Sequence, residues 1–362
     1  MRSEQQEEEV KMQVVCKTPA VSSQLGTAAN ASQAGFLLLG ITDSPGGQSL
    51  LFGLLLSMYL VTLVGNIGLM VLVWLVPSLH TPMYFFLTHL SFTDVCSSTV
   101  ICPRMLTALW SGKKAISFAA CVTQFHGFSL FATAECHLLA VMAYDRYVAV
   151  CQPLLYLSAF SGRLCWRLVA SSYLLAFLSA TIYTSCTFGG SFCGPKQIDH
   201  FFCDASPVLK LSCSATRSRE EAIALLVALN GVATATTILA SYSCILCTVL
   251  RMSSPQGSSR AFKTCLSHLA AVSLYYGTIF FTYLQPVSSH GRRDKVVSIF
   301  YTVITPMLNP FIYSLRNKEV QGALVKCSSR VLNHCQHARL VAAPKGADHL
   351  RWERPPSPQI FP

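Results

Sequence analysis

The sequence predicts an all-α membrane protein, a seven-transmembrane helix bundle, and three observations carry that reading. Only 12% of the 362 residues are Asp, Glu, Lys or Arg while 52% are apolar, and an ordinary soluble domain carries roughly a quarter of charged residues. The charges are clustered, leaving seven apolar stretches of which five hold no charge at all. Each is about as long as a helix needs to cross a hydrocarbon core of roughly 30 Å, ~17–25 residues. Lipid offers the backbone no water and so forces helix. One such stretch is compatible with a buried core helix; seven in succession are not.

In chain order the stretches run Leu50 to Val76, Met83 to Ile101, Ala115 to Tyr144, Leu168 to Gly194, Ala222 to Leu250, Leu266 to Ser289 and Val296 to Tyr313. Residues 1–49 are expected to form an N-terminal segment outside the membrane. It contains the run Glu7, Glu8, Glu9 and no secretory signal, so the first helix is expected to act as its own insertion signal. Residues 50–315 hold the helical domain, and 316–362 a tail whose Pro344, Pro355, Pro356 and Pro358 predict disorder at its end. Cys327 and Cys335 in that tail read equally as lipidation sites or as plain free thiols. Seven spans do not divide into equal halves and no motif recurs, so the sequence gives no sign of a paired-repeat transporter.

A net charge of +11 would suggest nucleic acid in a soluble protein. Here the bases are spread over loops and tail, where they meet anionic membrane lipid and cytoplasmic partners. No aromatic and basic interleaving reads as a nucleic-acid platform. Counting Lys and Arg in the loops gives ten on each side and decides no orientation. Cysteines decide instead: Cys193, Cys203 and Cys213 share one polar loop and Cys121 opens the third span on the same side, a cluster that an oxidising compartment permits. Asn30-Ala31-Ser32 is a glycan acceptor usable only on that side. The expected topology is therefore N-terminus outside and C-terminus inside, in a multi-pass membrane protein. Four cysteines allow three pairings, and sequence alone does not choose among them.

Asp94 lies within the second span and Glu135 within the third. A charge at mid-bilayer costs at least ~2.5–3.5 kcal/mol, so such residues normally face a protein interior and carry function. Asn66, Asp94 and Asn309 read as one buried polar network, functional or purely structural. At the inner end of the third span, Asp145 and Arg146 form an adjacent acid and base suited to a latch. No HExxH, GxGxxG or GxSxG constellation occurs, and the CxxC of Cys244 and Cys247 sits inside an apolar helix. Neither an enzyme, a metal site nor a cofactor is indicated; a channel or transporter using Asp94 and Glu135 is the alternative to a receptor.

The segments Leu79 to Leu87 (LHTPMYFFL), Met142 to Val150 (MAYDRYVAV), Ser241-Tyr242, Lys263 to Leu269 (KTCLSHL) and Pro306 to Asn317 (PMLNPFIYSLRN) resemble the rhodopsin-like G-protein-coupled receptors, and within them the olfactory receptors. The loop His200 to Cys213 (HFFCDASPVLKLSC) is similar to that family's long second extracellular loop, and Thr81 after His80 resembles its tetrapod-type class. Departures are the extra residues Met1 to Ala29, a long tail after Arg330, His89 where Asn is frequent, Arg260 to Lys263 in place of Lys-Ala-Phe-Ser, and the extra Cys102.

The resemblance implies a small-molecule odorant as ligand and a heterotrimeric G protein of the stimulatory olfactory type as partner, raising cyclic AMP. It also implies location in the plasma membrane of sensory cilia. Arg146 would be the residue released to meet the G protein, Asp145 its resting partner, and Tyr147, Tyr242, Lys263, His268, Asn309, Pro310 and Tyr313 the rest of the activation switch. For the hinge the physics agrees, since Pro310 removes a helix hydrogen bond and permits a kink. Cys121 with Cys203 and Cys193 with Cys213 are the pairings the family favours. By position, Phe128, Ser129, Ala132 and Thr133 in helix three, Tyr276, Phe280 and Tyr283 in helix six and Thr302 in helix seven resemble the odorant pocket. Ordinary helix packing explains any one of them equally well. None carries a formal charge, which points to a neutral, moderately hydrophobic ligand bound mostly by apolar burial at about 25 cal/mol per Å2.

Overall fold

The computed structural model describes residues 35–42, 44–193, 195–252, 255–283, 292–314, 319–326 and 329. Seven long helices appear among them: α1 (Pro45–Leu75), α2 (Pro82–Ser111), α3 (Phe118–Cys151), α4 (Gly162–Phe188), α5 (Arg217–Arg251), α6 (Pro255–Tyr283) and α7. The last is built from an α-helix Arg292–Ile299, a π-helical turn Phe300–Ile304 and an α-helix Thr305–Ser314. All but α6 are long and apolar enough to cross a membrane by length and composition alone.

Each helix sits where an apolar stretch is expected, but its ends are set by local chemistry rather than by hydropathy. Pro45 and Pro82 open α1 and α2, where a missing N–H costs nothing. Ser117 and Ser161 cap α3 and α4 by accepting from the N–H groups of Ala120 and Leu164. Gly112, with φ 66°, closes α2 in the left-handed conformation that glycine adopts without strain. Ala115 and Ile116, read from sequence as the start of the third span, form a strand instead, and that helix begins at Phe118. Strand β1 (Phe36–Leu38) pairs antiparallel with β2 (Ala115–Ile116) and parallel with β3 (Gln197–Ile198), giving the order β2-β1-β3.

Helix α3 is the centre of the bundle and packs against α2, α4, α5 and α6, while α7 closes the ring against α1, α2 and α6. Large apolar side chains such as Val64, Leu174, Leu229 and Leu239 point outward and are exposed in the isolated chain, as lipid-facing residues must be. Lipid is as apolar as leucine, so helix association rests on close packing and interhelical hydrogen bonds rather than on the hydrophobic effect. One close approach is visible at Gly65 of α1: a Cβ there would lie 2.8 Å from Pro310 Cγ of α7. Gly65→Ala is therefore expected to lower the thermal stability of the solubilised protein by about 1–3 kcal/mol. Gly68→Ala, where nothing lies within 4 Å, is expected to leave it unchanged. Equal melting of the two variants would contradict this packing.

Candidate functional site

Polar groups collect in three layers along the bundle axis. The outer layer is a plug made by the loop between α4 and α5. Disulfides Cys121–Cys203 and Cys193–Cys213, each with Cα atoms 5.6 Å apart, tie this loop to α3 and to itself. Gln124 of α3 adds a further tie, accepting from the Cys203 N–H at 3.0 Å. His200, Phe201 and Phe202 are buried beneath. The His200 ring stacks on Phe201 and meets Phe202 edge-on, with centroids 4.6 Å away in both cases. Phe202 in turn contacts Phe128 of α3 at 5.3 Å, and Phe128 lies 5.8 Å from Tyr301 of α7. His200 hydrogen-bonds Ser298 at 3.3 Å, Tyr301 donates to Ser298 at 2.9 Å, and Lys295 pairs with Asp199 at 2.7 Å.

The middle layer surrounds the carboxyl groups within the membrane. Asn309 donates to both oxygens of Asp94, at 3.2 and 3.0 Å. Asn66 reaches α7 separately, donating to the Pro306 carbonyl at 2.9 Å. Glu135 of α3 belongs to the same layer. Glu135 Oε1, Ser98 Oγ, Asn66 Oδ1, Thr305 Oγ1 and Asn309 Oδ1 are buried without a hydrogen-bond partner among the described residues. Carboxyl and amide oxygens and two hydroxyls are thus left unpaired between α1, α2, α3 and α7. Beside it, Tyr276 of α6 donates to Thr234 of α5 at 2.7 Å, and both contact the Cys136 thiol of α3. His137 bonds Asn230 of α5 at 3.0 Å, and Asn230 donates to Ser179 of α4.

The inner layer holds the acid and base of helix three. Arg146 donates to Asp145 Oδ2 from two nitrogens, at 2.6 and 3.2 Å. The side chains are only 8% and 1% exposed, which makes this a buried pair rather than a screened surface one. Tyr156, in the short helix Tyr156–Ala159, donates to the other oxygen at 2.7 Å. Burial, and then the Asp145 charge, push the Tyr156 hydroxyl upward, so it remains a donor to the carboxylate. Across the cleft, Tyr242 of α5 and His268 of α6 share a 2.6 Å hydrogen bond with nearly parallel rings. Tyr313 of α7 is buried nearby in the same core, its hydroxyl without a partner among the described residues.

These contacts place the sequence-predicted residues as follows. Asp145, Arg146, Tyr242, His268 and Tyr313 gather at the inner end, with Tyr147 half-buried beside the inner core. Pro310 is buried against Gly65, and Asn309 against Asp94. Of the pocket set, Phe128 faces the loop plug, Ser129 is buried, and Thr133 is half-buried. The Ala132 carbonyl accepts from Tyr275. Tyr276 is engaged by Thr234, and Thr302 donates to the Ser298 carbonyl of its own helix. A concavity partly open to solvent lies off this set, between the end of β1 and the outer turns of α1 and α2, and none of the described members of the set lines it. The side chains of Lys263, Phe280 and Tyr283, together with Asn30, Cys327 and Cys335, fall outside the described residues. Tyr156, Cys136, Thr234, Tyr275 and Ser298 were not singled out by sequence reasoning. A Tyr directly before Tyr276 and a Tyr eleven residues past Asp145 carry no motif that would have found them.

The sequence profile of the olfactory receptor family matches residues 55–330. The chain belongs to the olfactory receptor family. Among curated relatives, olfactory receptor 5AP2 of Mus musculus is 51% identical over 292 residues, covering 80% of this chain and 92% of that one. Olfactory receptor 5G3 of Homo sapiens is 50% identical over 289 residues, with the same coverage. The fold is similar to a crystal structure of squid rhodopsin, with a TM-score of 0.62 at 18% identity over 89% of this chain and 90% of that one. The receptor is accordingly a multi-pass, G-protein-coupled membrane protein with both predicted disulfides formed.

Burial first, and then the Lys295 charge, lower the His200 imidazole from 6.5 to about 3. The folded receptor thus keeps this ring neutral while the unfolded chain protonates it. Its contribution is fully present above pH 6.5 and is lost as pH falls from 6.5 towards about 3. The melting temperature of the solubilised receptor is expected to drop over that interval, and His200→Gln to flatten the drop. An identical pH profile in the variant would overturn the buried, neutral plug.

Proposed function

We propose that this olfactory receptor binds a small, neutral, moderately hydrophobic odorant in the outer half of the bundle and activates a stimulatory olfactory-type G protein to raise cyclic AMP. The observation that carries the reading is the inner layer. Arg146 is held away from the cytoplasm by a buried carboxylate that Tyr156 also binds, while Tyr242 is held by His268. A group so placed is a latch: it has a resting partner, and release exposes a cation at the face where a G protein docks. The outer layer supplies the sensing end, because Phe128, Phe202 and Tyr301 form an apolar aromatic surface beneath a loop fixed by two disulfides.

Odorant bound better by the arrangement in which α6 has swung outward at its inner end shifts the population towards it by its differential affinity. The N-terminus, with Asn30 as glycan acceptor, lies outside and the tail inside, in the plasma membrane of sensory cilia. Membrane lipid surrounds the bundle. The pocket carries no formal charge, so an equally potent response to a strongly anionic or dicationic ligand would count against a neutral odorant.

Arg146→Ala is expected to abolish the agonist-dependent cyclic AMP rise in cells while surface expression, read by flow cytometry, stays largely intact; unchanged signalling would reject the role given to this residue. Tyr156→Phe removes one hydrogen bond to a charged group, worth about 1.5–3 kcal/mol. A several-fold rise in agonist-independent cyclic AMP is expected, and an unchanged baseline at equal expression would show that Tyr156 does not hold the latch.

A further inference from the structure

Helix α5 is longer than a membrane requires. Its 35 residues extend for roughly 50 Å at about 1.5 Å per residue, against a hydrocarbon core of roughly 30 Å. The outer turns carry Arg217, Arg219, Glu220 and Glu221. Counting the ~20 residues of one span from Ala222 uses up the hydrocarbon near Ser241. Cys244 and Cys247 come next, one helical turn apart, ahead of Arg251 at the helix end. Of the nine free cysteines among the described residues these two alone are exposed, the others being buried or half-buried. Leu246 and Leu250 continue the exposed apolar face beside them, while Ile245 turns inward.

We propose that Cys244 and Cys247 are S-acylation sites that take long-chain fatty acyl groups from acyl-coenzyme A at the cytoplasmic membrane boundary. This rests on the orientation given under Proposed function. Position and exposure are what the modification requires: a thiol deep in the core is out of reach of a boundary enzyme, and a thiol buried between helices has no room for the chain. In the reaction the cysteine Sγ attacks the acyl carbonyl carbon and forms a new carbon–sulfur bond. The bond from that carbon to the coenzyme A sulfur breaks, and the cysteine proton leaves with coenzyme A as its free thiol. No oxidant or reductant is needed. The attached chain lies along the apolar face of Leu246 and Leu250 and anchors the inner end of α5, which carries Tyr242, to the inner leaflet.

The test uses the full-length receptor carrying Cys327→Ser and Cys335→Ser, so that tail thiols contribute nothing. Free thiols are blocked, thioesters are cleaved with hydroxylamine, and the thiols released are labelled with a maleimide mass tag. Bands carrying up to two tags are expected, one fewer in Cys244→Ser or Cys247→Ser, and none in the double variant. An absence of hydroxylamine-dependent tagging, or tagging unchanged in the double variant, would overturn the proposal. A C-terminal epitope stained in parallel separates the causes. Staining only after permeabilisation, with no tagging, rejects acylation alone; staining on intact cells rejects the orientation as well.

Discussion

The hydrocarbon interior is the constraint from which the rest of this molecule follows. Nothing in lipid satisfies a backbone amide or a side-chain oxygen, so the chain is helical wherever it crosses, and polar side chains in the core turn towards the interior of the bundle. Those side chains lie in three layers, and α3 contributes to all of them, through Gln124 at the outer end, Glu135, Cys136 and His137 at mid-depth, and Asp145 with Arg146 at the inner end. Polar groups of α3 bind α2, through Gln124 to the Val100 carbonyl, α4, through His126 to Thr184, and also α5, α6 and the outer loop.

The seven helices were legible because removing charge from a long stretch is the signal that lipid imposes. Their ends were not, because caps and prolines decide them: α1 starts at Pro45 and α2 at Pro82 whatever the hydropathy of the following residues. The small outer sheet escaped sequence reasoning for a different reason. Strands of two or three residues are too short to show an alternating pattern, and Ala115 and Ile116 look like the first residues of an apolar span.

In the site, legibility followed the strength of the local motif. The pair Asp145 and Arg146 announces itself, as does Asp94 in an apolar stretch, and Asn309 bonds Asp94. Asn66 joins α7 at the Pro306 carbonyl, a backbone partner that no sequence motif marks. The disulfide pairing was open on composition and came from resemblance alone. Tyr156 and Thr234 act through partners far away in sequence, and only the packing of the helices brings them to Asp145 and Tyr276.

In the proposed function the inner layer is the part of the molecule that switches, since a buried ion pair that never opened could signal nothing. Arg146 lies on Asp145 of its own helix and Tyr242 of α5 on His268 of α6, and in the proposed function α6 moves outward at its inner end. The most direct measurement is the distance between probes placed by non-canonical amino-acid incorporation at Arg163 in α4 and Phe262 in α6, with and without an agonist found in an odorant panel. The account predicts a longer distance at saturating agonist. A distance that stays the same while the same agonist still raises cyclic AMP would contradict it.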